Sequence, residues 1–492
     1  METSRTLWRA LIALVAGLGL ALACGKAGTG KTSSPVDPQA DGSLPPDGSV
    51  DGSVPDEYEG AIEFGTPGPW SREPITLFGA GEGLLEQNIV EASTDEAQNI
   101  WAASNEAVYV LRPGESRFRR YTGEDGLNLA NALSPGIRAV CGGKPNEAFV
   151  GYQGSEVRDP QQDPDMHRGK LDRVLLQEDG TLEVTFYDVH NNDDVGIERP
   201  PGQKAARLPN GLVDPSAVPR LPDGTPAHTD WSYNENRTVQ RFLYDHLFHR
   251  GTLYVGYNHS VGRIDAGKVD PIHTLDYADH VHPDVTNAQG VKRMGDWAAL
   301  ALDPFPRTLM RSTETRTGML WMGGRWTAGA RHWTPGLWEW TDYLENPFRY
   351  AFTSPPVFPV AQGDDVYISG IAALSDGKVY FASGPLWGFS NPHGIAALKD
   401  DQFTYLSPES DLGLPARDIV DLQRLPDDTV LVALRNNGLW RWDPKPFPNG
   451  RLLGRIEGLP GGRINRVYVD QMVSPTAVYV ATDRGFAMLR LD

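Results

Sequence analysis

Cysteine is nearly absent: the 492 residues hold two, Cys24 and Cys141. So few exclude a disulfide-stapled scaffold, and no Cys-x-x-Cys redox or metal motif exists. Cys141 lies in a strand-like run without a partner, which predicts a buried structural thiol. Basic excess is also missing. Lys and Arg number 45 against 64 Asp and Glu, a formal net charge of −19. That balance argues against a nucleic-acid partner and against a basic grip on anionic lipid. After the first 23 residues no apolar run approaches the roughly 18 residues of a membrane span. Catalytic signatures are missing too: there is no Gly-x-Ser-x-Gly, no His-Glu-x-x-His and no Cys–His arrangement. No nucleophile or base declares itself, and no catalytic residue is assigned.

What is present begins with a leader. Arg5 and Arg9 precede an apolar run from Leu11 to Ala23, too short to span a bilayer and suited to a signal-peptide core. The run ends Leu20-Ala-Leu-Ala-Cys24-Gly25, which resembles a bacterial lipobox with Ala21 where Leu is more usual. The resemblance implies lipidation at Cys24 after removal of residues 1–23. It also implies, through the non-acidic Gly25, a Gram-negative lipoprotein sorted to the outer membrane, periplasmic or surface-exposed. Residues 24–69 are rich in Gly, Pro, Ser and Asp and cannot bury enough apolar surface to offset ordering entropy. They read as a flexible acidic tether. Gly25 to Thr32 matches the P-loop letter for letter, but no buried strand precedes it and no helix follows, so no nucleotide is expected. The Asp-Gly-Ser repeats lack the closing Glu of a calcium loop.

The rest of the chain is organised around Ile419 to Asp443. Ile419-Val-Asp-Leu-Gln, Thr429-Val-Leu-Val-Ala-Leu and Leu439-Trp-Arg-Trp-Asp are three short strands separated by Pro426-Asp-Asp and Asn436-Asn-Gly. A lone meander is barely stable and must stack on copies of itself. Copies lie at Ile89–Tyr121 and Ile464–Leu491. Weaker ones centre on Ala148-Phe-Val-Gly-Tyr, Leu253-Tyr-Val-Gly-Tyr, Met319-Leu-Trp-Met-Gly and Lys378-Val-Tyr-Phe-Ala-Ser. About seven units of roughly 40 to 55 residues predict an all-β chain, a single β-propeller of seven four-stranded blades over residues 70–492. The last unit holds three strands, and Ile75-Thr-Leu-Phe is an unattached strand before the first. An orphan at each end predicts a ring closed by the N-terminal strand, which hides the sheet edges.

The irregularities of the repeat point to a site. Units one, six and seven have minimal turns between second and third strands, at Asn105-Glu, Asn436-Asn-Gly and Asp483-Arg-Gly. Units two to five carry insertions there: Gln153 to Lys170, Asn258-His-Ser, Arg325 to Gly336 and Gly384 to Gly394. Loops grow where function needs surface. Most of the 11 histidines fall in these insertions and the neighbouring connections, with several tryptophans and arginines. Arg325, Trp326, Arg331, His332, Trp333 and Trp387 offer flat contact area suited to a glycan or peptide. They are the candidate ligand-binding residues. His280-Val-His282-Pro-Asp284, with His259, is a metal alternative, since imidazole suits zinc, copper or nickel. No cofactor is otherwise required.

Asn99-Ile-Trp-Ala-Ala-Ser, Ala107-Val-Tyr-Val, Phe118-Arg-Arg-Tyr-Thr and Asp125-Gly-Leu resemble the repeat of two-component-regulator propellers, as does Val430 to Asp443. The match is clear in units one, six and seven, partial in five and faint in two to four. The resemblance implies a propeller fold and a ligand-binding habit in the cell envelope. The transmembrane helix and kinase of that family are not expected, because this chain ends with its own closing blade. The expected function is an outer-membrane-anchored binding module for a glycan, a peptide or an envelope protein. Alternatives are a metal-assisted hydrolase or lyase on the same face, and a structural part of a secretion, motility or polysaccharide-export complex.

Overall fold

The computed structural model describes residues 75–154, 170–187, 238–248, 250–258, 260–265, 277–278, 286–287, 290–291, 295–308, 315–325, 327–333, 340–342, 357–359, 366–385, 392–400 and 402–491. The leader 1–23, Cys24 and the tether 24–69 lie outside the described residues. No described helix is long and apolar enough to cross a membrane.

The fold is all-β. Seven four-stranded antiparallel sheets lie among the described residues. The first runs Glu91–Thr94, Ile100–Ala103, Val108–Leu111 and Arg119–Tyr121, each strand bonded to the next. Its two middle strands are buried at every position. Both faces of each sheet are covered by neighbours, so these strands read as continuous apolar runs rather than alternating ones. The innermost strands of the seven sheets are Glu91–Thr94, Ile137–Gly142, Val239–Asp245, Gly295–Asp303, Ile368–Ala373, Ile419–Arg424 and Ile464–Asp470. Each packs on the next, and the seventh packs on the first, so the arrangement is a closed β-propeller.

Closure follows the expectation from the orphan strands. Ile75–Phe78 adds to Gly485–Leu491 as the outer strand of the seventh sheet, with Ile75 opposite Leu489 and Phe78 opposite Phe486. The four weaker repeats also hold, because Ala148, Leu253, Met319 and Val379 each lie in a second strand.

The core is a set of wedges between adjacent sheets. Trp101, Val110, Val140, Val150 and Val174 fill the one between sheets one and two. Neighbouring sheets approach so closely at their inner ends that some positions take only glycine. A Cβ on Gly256 would sit 2.0 Å from the carbonyl oxygen of Trp297, and one on Gly370 would sit 2.2 Å from the backbone nitrogen of Leu422.

Aspartates that end innermost strands fasten the turns beneath them. Asp95 accepts from the amides of Ala97 (2.9 Å) and Asn99 (3.0 Å) and from the indole of Trp101 (2.9 Å). Asp303 accepts likewise from the amide of Phe305 (2.9 Å) and the indole of Trp321 (2.7 Å).

Two expected insertions prove to be tight hairpins. Within Arg325 to Gly336 lies a strand: Met319–Arg325 and Thr327–Trp333 are the second and third strands of sheet four, with Gly324 opposite Thr327. Asn258-His-Ser is equally short, with Tyr257 ending one strand and Ser260 starting the next. The connections from Tyr152 to Lys170 and from Ser383 to Gly394 are long, as expected.

Candidate functional site at the axial mouth

The site arises from one defect repeated around the ring. In sheets two, three, five, six and seven the innermost strand carries an extra residue near its start. The pairing jumps from Ile137 to Ala139, Val239 to Arg241, Ile368 to Gly370, Ile419 to Asp421 and Ile464 to Arg466. Such bulges bend a strand and re-aim side chains. The extra residues are Arg138, Gln240, Ser369, Val420 and Asn465. All but Gln240 line one cavity, together with Asn88, Asn105, Arg435, Arg463 and Arg466.

The residue after each bulge occupies one register position. It reads Ala139, Arg241, Gly370, Asp421 and Arg466, with Glu91 opposite Ala103 and Ala299 opposite Gly323 in the corresponding places of sheets one and four. Arg241 donates to Asp421 at 2.9 Å and stands 4.0 Å from Glu91. These groups come from sheets three, six and one, which are not neighbours, so their side chains meet across the ring axis. The small residues Ala139, Ala299 and Gly370 leave space for that crossing. Arg466 donates to the carbonyl of Gln240 at 3.1 Å.

Burial disfavours the charges of Glu91, Arg241 and Arg466. It raises the pKa of Glu91, against the opposing field of Arg241 and Arg466. Burial also works against the charge of Arg241, but Asp421 and Glu91 offset it and hold its pKa above the ordinary value. Arg466 is held below its ordinary value, by burial first and by the like charge of Arg241 second. The cluster stands between two cavities. Glu91 and Arg241 line the one, about 120 Å³ with Phe242, Leu300 and Met472. Arg466 lines the other, about 260 Å³.

The larger cavity opens on the face where innermost strands begin and where the turns at Asn105 and Arg435 lie. Its four arginines face no Asp or Glu within the lining. Arg463 pairs with Asp483 at 3.3 Å on the rim.

Of the residues selected from sequence, Arg325 ends a second strand and therefore lies on the mouth side, over the ring of Tyr367 at 5.5 Å. Arg331, His332 and Trp333 sit at the far end of the third strand, opposite Asp342, Thr341 and Trp340. A strand rises about 3.3 Å per residue, so the backbone positions of Arg325 and Trp333 lie toward opposite ends of the sheet. Trp326, Trp387, His259, His280, His282 and Asp284 fall outside the described residues. Among the described residues no three His, Cys, Asp or Glu are grouped to hold a metal. Cys141 is a free, buried thiol, as expected, and burial with the nearby Glu91 charge pushes it up to about 12. The mouth arginines escaped sequence reading because Arg138, Arg435 and the Arg463/Arg466 pair are far apart in the chain. Their shared signal was position: each lies at the start of an innermost strand or in a turn between second and third strands.

No family model matches the chain. No curated protein sequence matches it either. Solved structures do. The extracellular domain assigned to a hybrid two component system from B. thetaiotaomicron aligns at 12% identity and TM-score 0.44, over 84% of this chain and 41% of that one. Streptogramin B lyase aligns at 8% identity and TM-score 0.40, over 85% of this chain and 98% of that one. PorZ, a surface component of the type-IX secretion system of Porphyromonas gingivalis, aligns at 13% identity and TM-score 0.40, over 84% and 48%. The chain thus spans less than half the length of the first and third. The likeness is one of fold class, and the propeller itself rests on the closed ring of sheets.

Proposed function

We propose that the chain is a lipid-anchored outer-membrane β-propeller that works as a binding module, with its ligand seated at the axial mouth. The single observation that carries this reading is the polar cavity of about 260 Å³ on the face of the second-to-third turns. Ligand sites are concave, with a few convergent polar groups on a rigid support. Here the support is a bulge repeated in five sheets, and the lining comes from five sheets at once. Lipid on Cys24 and the acidic segment 24–69 would hold the propeller away from the membrane. The ligand is a glycan, a peptide or an exposed part of an envelope protein.

The test is capture at the mouth. A glycan array and an envelope extract are probed with the chain and with Asn88→Trp, which places a large ring at an exposed position of the lining. The chain should retain a defined set of ligands, and Asn88→Trp should lose them while keeping its unfolding temperature. Capture that ignores Asn88→Trp, or no capture at all, would contradict the reading. Anchoring has its own test: radiolabelled palmitate should label the chain in a Gram-negative host, and Cys24→Ser should abolish the label.

A further inference from the structure

We infer that the axial mouth recognises an oxyanion, a carboxylate, sulfate or phosphate group carried by its ligand; this rests on the reading of the mouth as the ligand site. Four arginines from three sheets converge on one cavity whose lining holds no carboxylate, in a chain whose formal net charge is −19. The sign of the mouth is opposite to that of the molecule. Arg463 is answered by Asp483, at 3.3 Å. Arg435 and Arg466 are not: among the described residues neither has a carboxylate within salt-bridge distance.

Arg466 is the telling case. Its guanidinium lies deep in the mouth, bonded to the Gln240 carbonyl, with Arg241 as a like-charged neighbour and with both axial carboxylates engaged. Glu91 accepts from the amide of Val140, and Asp421 accepts from Arg241, Gln423 and the amide of Val467. At Arg466, burial and the like charge of Arg241 outweigh the fields of Glu91 and Asp421, and its lowered pKa is one sign of that cost. An entering oxyanion brings a counter-charge within direct contact and presents several acceptors to planar donor forks, which a neutral hydroxyl does not. The cavity, about 260 Å³, is at the small end of ligand sites and suits one acidic residue of a longer molecule.

The experiment is calorimetric titration of the purified chain at low ionic strength, where screening is weak. The probes are sodium sulfate, sodium digalacturonate and, as a neutral comparison, methyl galactoside. One-site binding of at least one anion is expected, with no heat from methyl galactoside. Affinity should fall about tenfold or more in Arg435→Gln and in Arg466→Gln, the loss expected for a charge-assisted contact. Arg119→Gln, on the outer strand of sheet one, should bind as the parent does. Tighter digalacturonate binding assigns the anion to an acidic sugar, and sulfate binding alone assigns it to a sulfate or phosphate group. Unfolding temperatures check that each variant is folded. Arg435→Gln keeps the test decisive should Arg466→Gln fail to fold. Neither anion binding, equal binding of methyl galactoside, or full affinity in a folded Arg435→Gln would overturn the inference. Capture of a neutral glycan that Asn88→Trp abolishes would overturn it while leaving the binding module intact.

Discussion

Phe78 stacks on Phe486 with ring centroids 4.7 Å apart, and the edge of Phe118 meets both rings at 5.6 and 5.7 Å. The three come from the closing strand, the seventh sheet and the lead into the last strand of the first sheet. They are the clasp of the ring, and all three are buried.

Phe78→Ala should therefore loosen closure more than it harms any one sheet. Truncating a buried Phe costs about 3–5 kcal/mol. Chemical denaturation should show that loss, and amides of Phe486–Leu491 should exchange faster while those of Val430–Leu434 keep most of their protection. An ordinary surface-like loss below about 0.5 kcal/mol would show that the clasp does not hold the ring.

Gly370→Ala tests the close approach of sheets five and six. Its Cβ would meet the Leu422 nitrogen at 2.2 Å, and backbone cannot swing aside as a side chain can. A loss of about 1–3 kcal/mol is expected for such overpacking. The midpoint of urea unfolding reads it directly.

The axial cluster predicts an asymmetry between breaking and replacing an ion pair. Asp421→Ala leaves Arg241 buried without its nearest counter-charge, which costs about 3–5 kcal/mol. Arg241→Met combined with Asp421→Leu removes both charges and should cost less than Asp421→Ala alone. A double-mutant cycle on unfolding free energies measures the difference.

Glu96 sets a pH dependence. Burial raises its pKa, but the two hydrogen bonds from Arg250, with the charge of Arg250 and the imidazole of His246 3.8 Å away, outweigh burial and bring it to about 2. Arg250 meets it at 2.7 Å but is largely exposed, which limits the energy. A carboxylate depressed in the folded state stabilises above its unfolded pKa, and the effect fades as pH falls through the folded value. Glu96→Gln should thus cost about 1–2 kcal/mol at neutral pH. The gap to the parent should close between roughly pH 4.5 and pH 2. A gap that persists at the acid end would assign the loss to packing instead.

The parts of this fold that were legible in sequence are those whose strands are made of large β-branched and aromatic residues. Thr429 to Leu434 and Val108 to Leu111 are such runs, and closure was legible because a strand was missing from one end and spare at the other. Thr327–Trp333 was misread as an insertion for a physical reason. Its buried positions include Ala328 and Ala330, which bury little area each, between Thr327, Gly329 and Arg331. Alternation carried by alanine is too weak a pattern to set against glycine and arginine in the same stretch. The axial mouth was illegible for another reason. The same bulge, repeated in three sheets, places Arg138, Ser369 and Asn465 at the cavity, and Arg466 follows in register, yet Arg138, Ser369 and the Arg463–Arg466 segment are far from one another in sequence. Only the closure of the ring brings them together.

Hydrogen exchange of the chain, alone and with a ligand retained in the capture assay, tests the binding face most directly. Added protection is expected at Asn105–Ala107, Arg435–Gly438, Arg463–Arg466 and Asp483–Gly485, and none at the opposite turns such as Asp95–Asn99 and Asp427–Thr429. Protection at those opposite turns with the mouth unchanged would place the ligand on the wrong side of the ring and contradict the account.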